Sequence, residues 1–305
     1  MPALRKARAI RKGAVVGIAA PAGPVEPELV EAGCQLLRDL GFEPRHRADL
    51  VDRRGYLAGD DDRRAEELTE LVADPEVGAI VCARGGYGTP RILHRLDAKA
   101  FRKAAKPLVG YSDITALLLW QRRTAGLMGI HGPMFERVHS PSDETAKALV
   151  RALTGTGALP RLAGEALCPG WAEGRLVGGS LSLLTASLGT PWEVDTRDAI
   201  LMIEETGEAP YRIDRMLQQL AQAGKLEAAV GVGVGQLVDC DDRKYEGVDL
   251  DALLREVLGP LGVPVVTGLP FGHELPNLAW PVGGRAAIDA DRGEIELLES
   301  AVATR

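Results

Sequence analysis

Lys106-Pro-Leu-Val-Gly-Tyr-Ser-Asp-Ile-Thr-Ala-Leu-Leu-Leu119 decides how this chain is read: an apolar strand-like run stops at Ser112 and a helix-like run begins directly after it. A buried strand that passes straight into a helix is the building step of a parallel α/β sheet. The same corner lifts its residue above the sheet edge, where the first helix amides point outward. Ser112 therefore has two readings. Either it or Asp113 caps the helix, a position both residue types favour, or Ser112 is a nucleophile whose hydroxyl stands over those amides.

Outward from this corner, strand-like and helix-like segments alternate. Residues 14–20 read as a buried first strand ending in the turn Pro21-Ala-Gly23. Residues 27–40 read as a helix with Leu29, Val30, Cys34, Leu37 and Leu40 at helical spacing, and 61–73 as a second helix. Residues 77–83, 107–111 and 127–130 add buried strands. The pattern predicts an N-terminal parallel-sheet α/β domain, flavodoxin- or amidotransferase-like, over residues 1–153. Residues 154–173 fill with Gly, Pro, Ala and Thr and lose periodicity, the composition of a connection. Residues 174–305 then read as a smaller mixed α/β domain. Its predicted elements are a turn feeding a short helix at 174–184, a strand at 199–203, an amphipathic helix at 211–223, strands at 229–237 and 263–267, and a hairpin joining 286–289 to 294–298.

Composition narrows the classes. With 305 residues, 26% of them charged, 46% hydrophobic, and a net charge of -7, the chain is a globular protein rather than a disordered or nucleic-acid-coating one. The basic run Arg5, Lys6, Arg8, Arg11 and Lys12 before residues 14–20 superficially resembles a secretory signal, but the apolar run is short for one, and the buried first strand is the preferred reading. No stretch approaches the ~20 apolar residues of a membrane span, so the expected compartment is the cytoplasm and no membrane partner is expected. Cys34, Cys82, Cys168 and Cys240 are far apart and lack metal-ligand spacing. Neither a metal nor a cofactor is called for.

Three further stretches carry chemistry. Ala83-Arg-Gly-Gly-Tyr-Gly-Thr89 follows a predicted strand, and glycines there let the backbone approach a ligand and offer amides to an anion. A plain tight turn is the competing reading. In Leu201-Met-Ile-Glu-Glu-Thr-Gly-Glu208, strand alternation puts Glu204 and Glu205 on opposite faces, and Glu204 is the better candidate for an orienting carboxylate. Glu208, four residues before Arg212, reads as an ion pair, and a solvated acidic loop is the alternative for all three acids. His273, in the Gly/Pro-rich Gly268-Leu-Pro-Phe-Gly-His273, reads as an exposed, mobile imidazole able to carry protons. His131 is a second candidate, while His46, His94 and His139 sit in polar surroundings and read as surface. In chain order Ser112, Glu204 and His273 supply a nucleophile, an acid and a base. Gly110-Tyr-Ser-Asp-Ile114 nevertheless lacks the second glycine of the Gly-x-Ser-x-Gly elbow.

Taken together these motifs resemble the LD-carboxypeptidases of bacterial cell-wall recycling and the related microcin C self-immunity peptidases. The resemblance rests on Ala20-Pro-Ala-Gly23, Arg84-Gly-Gly-Tyr-Gly88, Gly110-Tyr-Ser-Asp-Ile-Thr115, His131-Gly-Pro133, Gly178-Gly-Ser-Leu181, Gly189-Thr-Pro-Trp192, Ile203-Glu-Glu205 with Tyr211-Arg-Ile-Asp-Arg-Met216, and Gly268-Leu-Pro-Phe-Gly-His273. It implies a serine-type carboxypeptidase, typically a homodimer, with Ser112 as nucleophile, Glu204 as triad acid and His273 as base. The amides of Gly86 and Asp113 are the implied oxyanion donors, each such donor typically worth ~3 kcal/mol. Arg84, Gly85 and Tyr87 are the implied substrate-binding residues, with Arg84 a candidate for the terminal carboxylate. The implied substrate is a murein tetrapeptide that loses its terminal D-Ala. For the immunity-type relatives it is an aminoacyl- or peptidyl-adenylate mimic, which Trp171, Trp192 and Trp280 would hold by stacking. Two readings from other classes remain, a non-catalytic two-lobed small-molecule binding protein and an amidotransferase-like enzyme with Cys82 as nucleophile.

Overall fold

The computed structural model describes residues 4–135, 140, 143–241 and 248–303. The chain divides into two units, the first comprising Met1–Ala158, Leu278–Val282 and Ser300–Arg305, the second Leu159–Asn277 and Gly283–Glu299.

The first unit is built on a six-stranded sheet. Five parallel strands stand in the order Glu43–Arg45, Val15–Ala19, Val77–Cys82, Leu108–Gly110, Gly129–His131, and Trp280–Val282 closes the edge antiparallel to the last of them. Numbered by sequence, the parallel strands run 2-1-3-4-5, the doubly wound order of flavodoxin-like sheets. The central strands are Val-, Ile- and Ala-rich and almost wholly buried, as strands covered on both faces must be. Helix Asp61–Ala73 occupies the expected residues, started by Asp60, whose carboxylate accepts from the Arg63 amide at 2.9 Å. Pro27 opens helix Pro27–Asp39, where its missing N–H has no intrahelical partner to lose. A short parallel pair, Ala7–Arg8 with Val302–Ala303, completes the unit. The edge strands Glu43–Arg45 and Trp280–Val282 were not foreseen, because each has a proline at its centre, a residue that argues against a strand except at a sheet edge.

The second unit carries a mixed eight-stranded sheet in the order Arg161–Ala163, Glu294–Leu297, Arg285–Asp289, Trp171–Ser180, Ala199–Thr206, Ala229–Val238, Val265–Thr267, Glu165–Cys168. Trp171–Ser180, Ala199–Thr206, Ala229–Val238 and Val265–Thr267 are parallel to their neighbours in that run. The expected hairpin of residues 286–289 with 294–298 is present as Arg285–Asp289 antiparallel to Glu294–Leu297. Helix Pro210–Gln222 buries Ile213, Met216, Leu217 and Leu220, the side anticipated from spacing. Two expectations fail here. Residues 154–173 are no bare connection, since Arg161–Ala163 and Glu165–Cys168 form opposite edges of the sheet. Residues 174–180 are not a turn but most of the ten-residue strand Trp171–Ser180. Their partners lie more than a hundred residues away or on flanking strands, so pairing overrides the glycine-rich composition. No helix among the described residues is long and apolar enough to cross a membrane.

Candidate active site

In a doubly wound sheet, ligands bind outside the carboxyl ends of the strands where the order reverses. Here that point lies between Val15–Ala19 and Val77–Cys82, and the two turns that follow them are joined by the Gly23 amide donating to the Gly85 carbonyl at 2.8 Å. Ser112 follows the next strand, Leu108–Gly110, and opens the turn Ser112–Ile114 into helix Thr115–Trp120. Its φ is +58°, left-handed backbone that a serine rarely adopts and that typically holds ~1–3 kcal/mol of strain. Such a residue reverses the chain sharply, as at the nucleophile elbow of hydrolases, and needs no second glycine to do so. The cap reading does not hold: Tyr111 occupies the cap position, no side chain caps the turn, and the buried Asp113 carboxylate accepts instead from the Thr89 amide at 2.7 Å.

The glycine turn lies against this corner. A Cβ on Gly85 would stand 2.7 Å from Ser112 Cβ, 2.8 Å from Ser112 Oγ and 3.3 Å from the Asp113 nitrogen, so only glycine admits that approach. Gly86 is exposed with φ +91°. Arg84 is half-buried and its Nη1 donates to the Pro24 carbonyl at 2.7 Å. Tyr87 is exposed and packs edge-on against Tyr56, ring centres 5.7 Å apart.

Beneath the turns lies a set of buried charges that the sequence reading assigned no role. Arg64 is fully buried and donates from Nη1 to the carbonyls of Pro21 and Gly88, each at 2.8 Å, and from Nη2 to Asp61. Arg63 and Glu67 pair at 2.7 Å, and Glu67 also accepts from the Ala20 amide at 2.7 Å. Burial pushes the Glu67 carboxyl up to about 7, against the pull of Arg63 and that amide. The signal was present: Arg64, Leu68 and Leu71 stand at i, i+4 and i+7, which puts the arginine on the apolar stripe.

In the second unit Glu204 lies on strand Ala199–Thr206 opposite Ser180, wholly buried rather than in a solvated loop. His273 Nδ1 is 2.7 Å from Glu204 Oε2. A carboxylate can only accept, so Nδ1 carries the hydrogen; in the neutral imidazole the lone pair then lies on Nε2, the tautomer of a general base. His273 is 9% exposed, not the mobile loop imidazole its glycine-rich context implied. Gln236 pins the loop, its side-chain Oε1 accepting from the Glu274 amide at 2.7 Å and its backbone N–H donating to the Phe271 carbonyl at 2.9 Å. Glu205 turns the other way, as alternation requires, accepting from the Ser182 amide at 2.7 Å and from its hydroxyl, while burial raises its pKa. Glu208 pairs with Arg212 at 3.1 Å, as its spacing indicated.

The other candidates fall away or fall silent. His131 is fully buried and stacks on Trp280 at 4.8 Å, so it is part of a packed core and Trp280 lines no open pocket. Trp171 is exposed and Trp192 half-buried. Cys82 is fully buried and burial pushes its thiol far up, which removes the thiolate a nucleophile needs. His46 and His94 are exposed, and His139 lies outside the described residues. Among the described residues no group of three or more His, Cys, Asp or Glu is placed to hold a metal ion.

Comparison with known proteins bears on this arrangement. Residues 16–132 match the pattern described as the LD-carboxypeptidase N-terminal domain, and residues 173–288 the LD-carboxypeptidase C-terminal domain. The chain is 41% identical over 293 residues to the probable murein peptide carboxypeptidase of Bacillus subtilis (strain 168), covering 93% of this chain and 91% of that one. It is 29% identical over 319 residues to the microcin C7 self-immunity protein of Escherichia coli, covering 91% and 92%. The solved structure of muramoyltetrapeptide carboxypeptidase from Oxalobacter formigenes matches with a TM-score of 0.84 at 31% identity, over 92% of this chain and 97% of that one.

Proposed function

The chain belongs to the LD-carboxypeptidase family, a family of peptidase hydrolases, and on that premise we propose that it is a serine carboxypeptidase releasing the terminal D-Ala of a murein tetrapeptide. The observation that carries the reading is the buried Glu204–His273 pair at 2.7 Å, in which a carboxylate orients an imidazole through Nδ1 as in an acid–base dyad, together with a serine held at the strained corner where a nucleophile belongs. In the proposed mechanism His273 Nε2 takes the proton of Ser112 as its oxygen attacks the scissile carbonyl. Glu204 keeps the proton on Nδ1 and stabilises the imidazolium. The imidazolium then gives its proton to the leaving amine, and water, activated by the same base, releases the acyl group. The amides of Asp113 and Gly86 are the proposed oxyanion donors. Arg84, Gly85 and Tyr87 are the proposed substrate contacts, Arg84 meeting the terminal carboxylate. In this reading the enzyme works in the cytoplasm, as a homodimer, on peptides recovered from the cell wall.

A second reading, hydrolysis of aminoacyl- or peptidyl-adenylate mimics, draws on the likeness to the microcin C7 self-immunity protein. Incubation with a murein tetrapeptide and, separately, with an aminoacyl sulfamoyl adenosine separates the two. Release of D-Ala from the first supports the preferred substrate, and turnover of the second alone overturns it. Labelling of Ser112 by a fluorophosphonate, absent in Ser112→Ala, excludes a purely ligand-binding protein.

A further inference from the structure

Both ends of one peptide bond beside the nucleophile are held by buried charged groups. The carbonyl of the Gly88–Thr89 peptide accepts from Arg64 Nη1 at 2.8 Å, and its N–H donates to Asp113 Oδ2 at 2.7 Å. Arg64 is 0% exposed and Asp113 1%. A cation, a peptide dipole and an anion thus stand in series, each hydrogen bond polarising the next in surroundings that exclude water. The far end of the series is the residue after Ser112, whose own amide is the proposed oxyanion donor.

We infer that Arg64 is a positioning residue of the acyl-transfer site, holding Asp113, and through it the Ser112 corner, by way of the Gly88–Thr89 peptide. This rests on the reading of Ser112 as nucleophile. Three features fit the role. Arg64 Nη1 also donates to the Pro21 carbonyl at 2.8 Å, so one group ties together the turns that follow the first and third parallel strands, the two turns that flank the site. A Cβ on Gly88 would sit 2.5 Å from Arg64 Nη1, so glycine is what lets the guanidinium reach the carbonyl. Finally, Ser112 holds a left-handed φ of +58°, a conformation that persists only where neighbouring contacts over-determine it, and the anchored Asp113 side chain supplies such a contact. A lysine keeps the charge but not the planar fork that reaches two carbonyls and a carboxylate at once.

The test compares wild type, Arg64→Lys, Thr89→Pro and the double variant. Thr89→Pro removes the N–H of the relay without touching Arg64, at the first position of helix Thr89–Ile92, where proline is tolerated. Each is assayed for kcat and KM on the tetrapeptide and for the rate at which a fluorophosphonate labels Ser112, with thermal unfolding as a check of the fold. If Arg64 acts through this peptide, each single variant lowers kcat and the labelling rate roughly 100-fold, as a misplaced reacting group does, with KM within about threefold. The double variant then falls little further than either single one. A folded Arg64→Lys protein within threefold of wild type in kcat and labelling overturns the proposal, as do losses that multiply in the double variant. If either single variant does not fold, the labelling rate of the other decides alone. Should wild type label at Ser112 yet leave the tetrapeptide intact, the substrate reading fails while the labelling rates still judge Arg64.

Discussion

Replacing Gly85 by alanine tests the site through a single added carbon. The new Cβ would lie 2.7 Å from Ser112 Cβ and 2.8 Å from Oγ. Ordinary carbon–carbon contact is about 3.5–4.0 Å, so the two backbones must part by roughly 1 Å. Rotating the serine side chain relieves the Oγ contact but not the Cβ one, and it moves the hydroxyl out of its attacking position. Gly85 is not among the residues with positive φ, so backbone strain adds nothing and the effect is steric. A displacement of about 1 Å at the reacting group typically lowers turnover about 100-fold, equivalent to ~2.7 kcal/mol of barrier. Overpacking also removes about 1–3 kcal/mol of stability, a fall of several degrees in Tm for a chain of this size. The assay is D-Ala release from a murein tetrapeptide through an oxidase-coupled readout, with fluorophosphonate labelling in parallel. Gly259→Ala is the control: its Cβ would meet nothing within 4 Å, and kcat is expected to stay at the wild-type value. A Gly85→Ala protein with kcat within threefold of wild type would refute the placement of this turn against the nucleophile.

Glu204→Gln presents an amide to Nδ1 in place of a carboxylate and favours the wrong imidazole tautomer, so kcat should fall by about 10³–10⁴-fold while the fold survives; a loss under tenfold contradicts the proposed role. Glu67, raised from an ordinary 4.5 to about 7, binds more protons folded than unfolded across that window, so its contribution to stability declines as pH rises from about 4.5 to about 7. Thermal unfolding from pH 4.5 to 8 should show a shallower decline for Glu67→Gln than for wild type, and parallel curves would disprove the assignment. Cys34, Cys82 and Cys240 are buried with thiols pushed up by burial, leaving Cys168 as the accessible one; native-state titration with an aromatic disulfide at pH 8 should show one fast thiol, and Cys82→Ala should retain full activity.

Much of the fold was legible because the first unit writes its strands as short Val/Ile/Ala runs and its helices as amphipathic spacing, signals that do not depend on distant partners. The second unit's sheet is less local. Arg161–Ala163 exists as a strand because Glu294–Leu297 pairs with it, and nothing in Arg161-Leu-Ala163 carries that information. At the site, the residue types were readable and their surroundings were not. Alternation correctly separated Glu204 from Glu205. By contrast, loop composition made His273 look exposed, when Glu204 and the Gln236-braced loop hold it inside. Arg64 was passed over for a related reason: charge suggests water, whereas two backbone oxygens and one carboxylate accept from the two Nη nitrogens of this guanidinium in the interior.

The route of the chain through the first unit's sheet bears on its synthesis. Five of its six strands have been made by residue 131, yet the edge strand Trp280–Val282 and the pairing of Ala7–Arg8 with Val302–Ala303 draw on residues made well over a hundred positions later. While the ribosome builds the second unit, strand Gly129–His131 has nothing along its outer side, and an open strand edge invites pairing with another chain. If the first five strands fold as they are made, most of one sheet stands with one border bare until residue 280 is reached. Aggregation during expression should concentrate in products that stop between residues 158 and 280, and chaperones that shield β-edges should matter most in that interval.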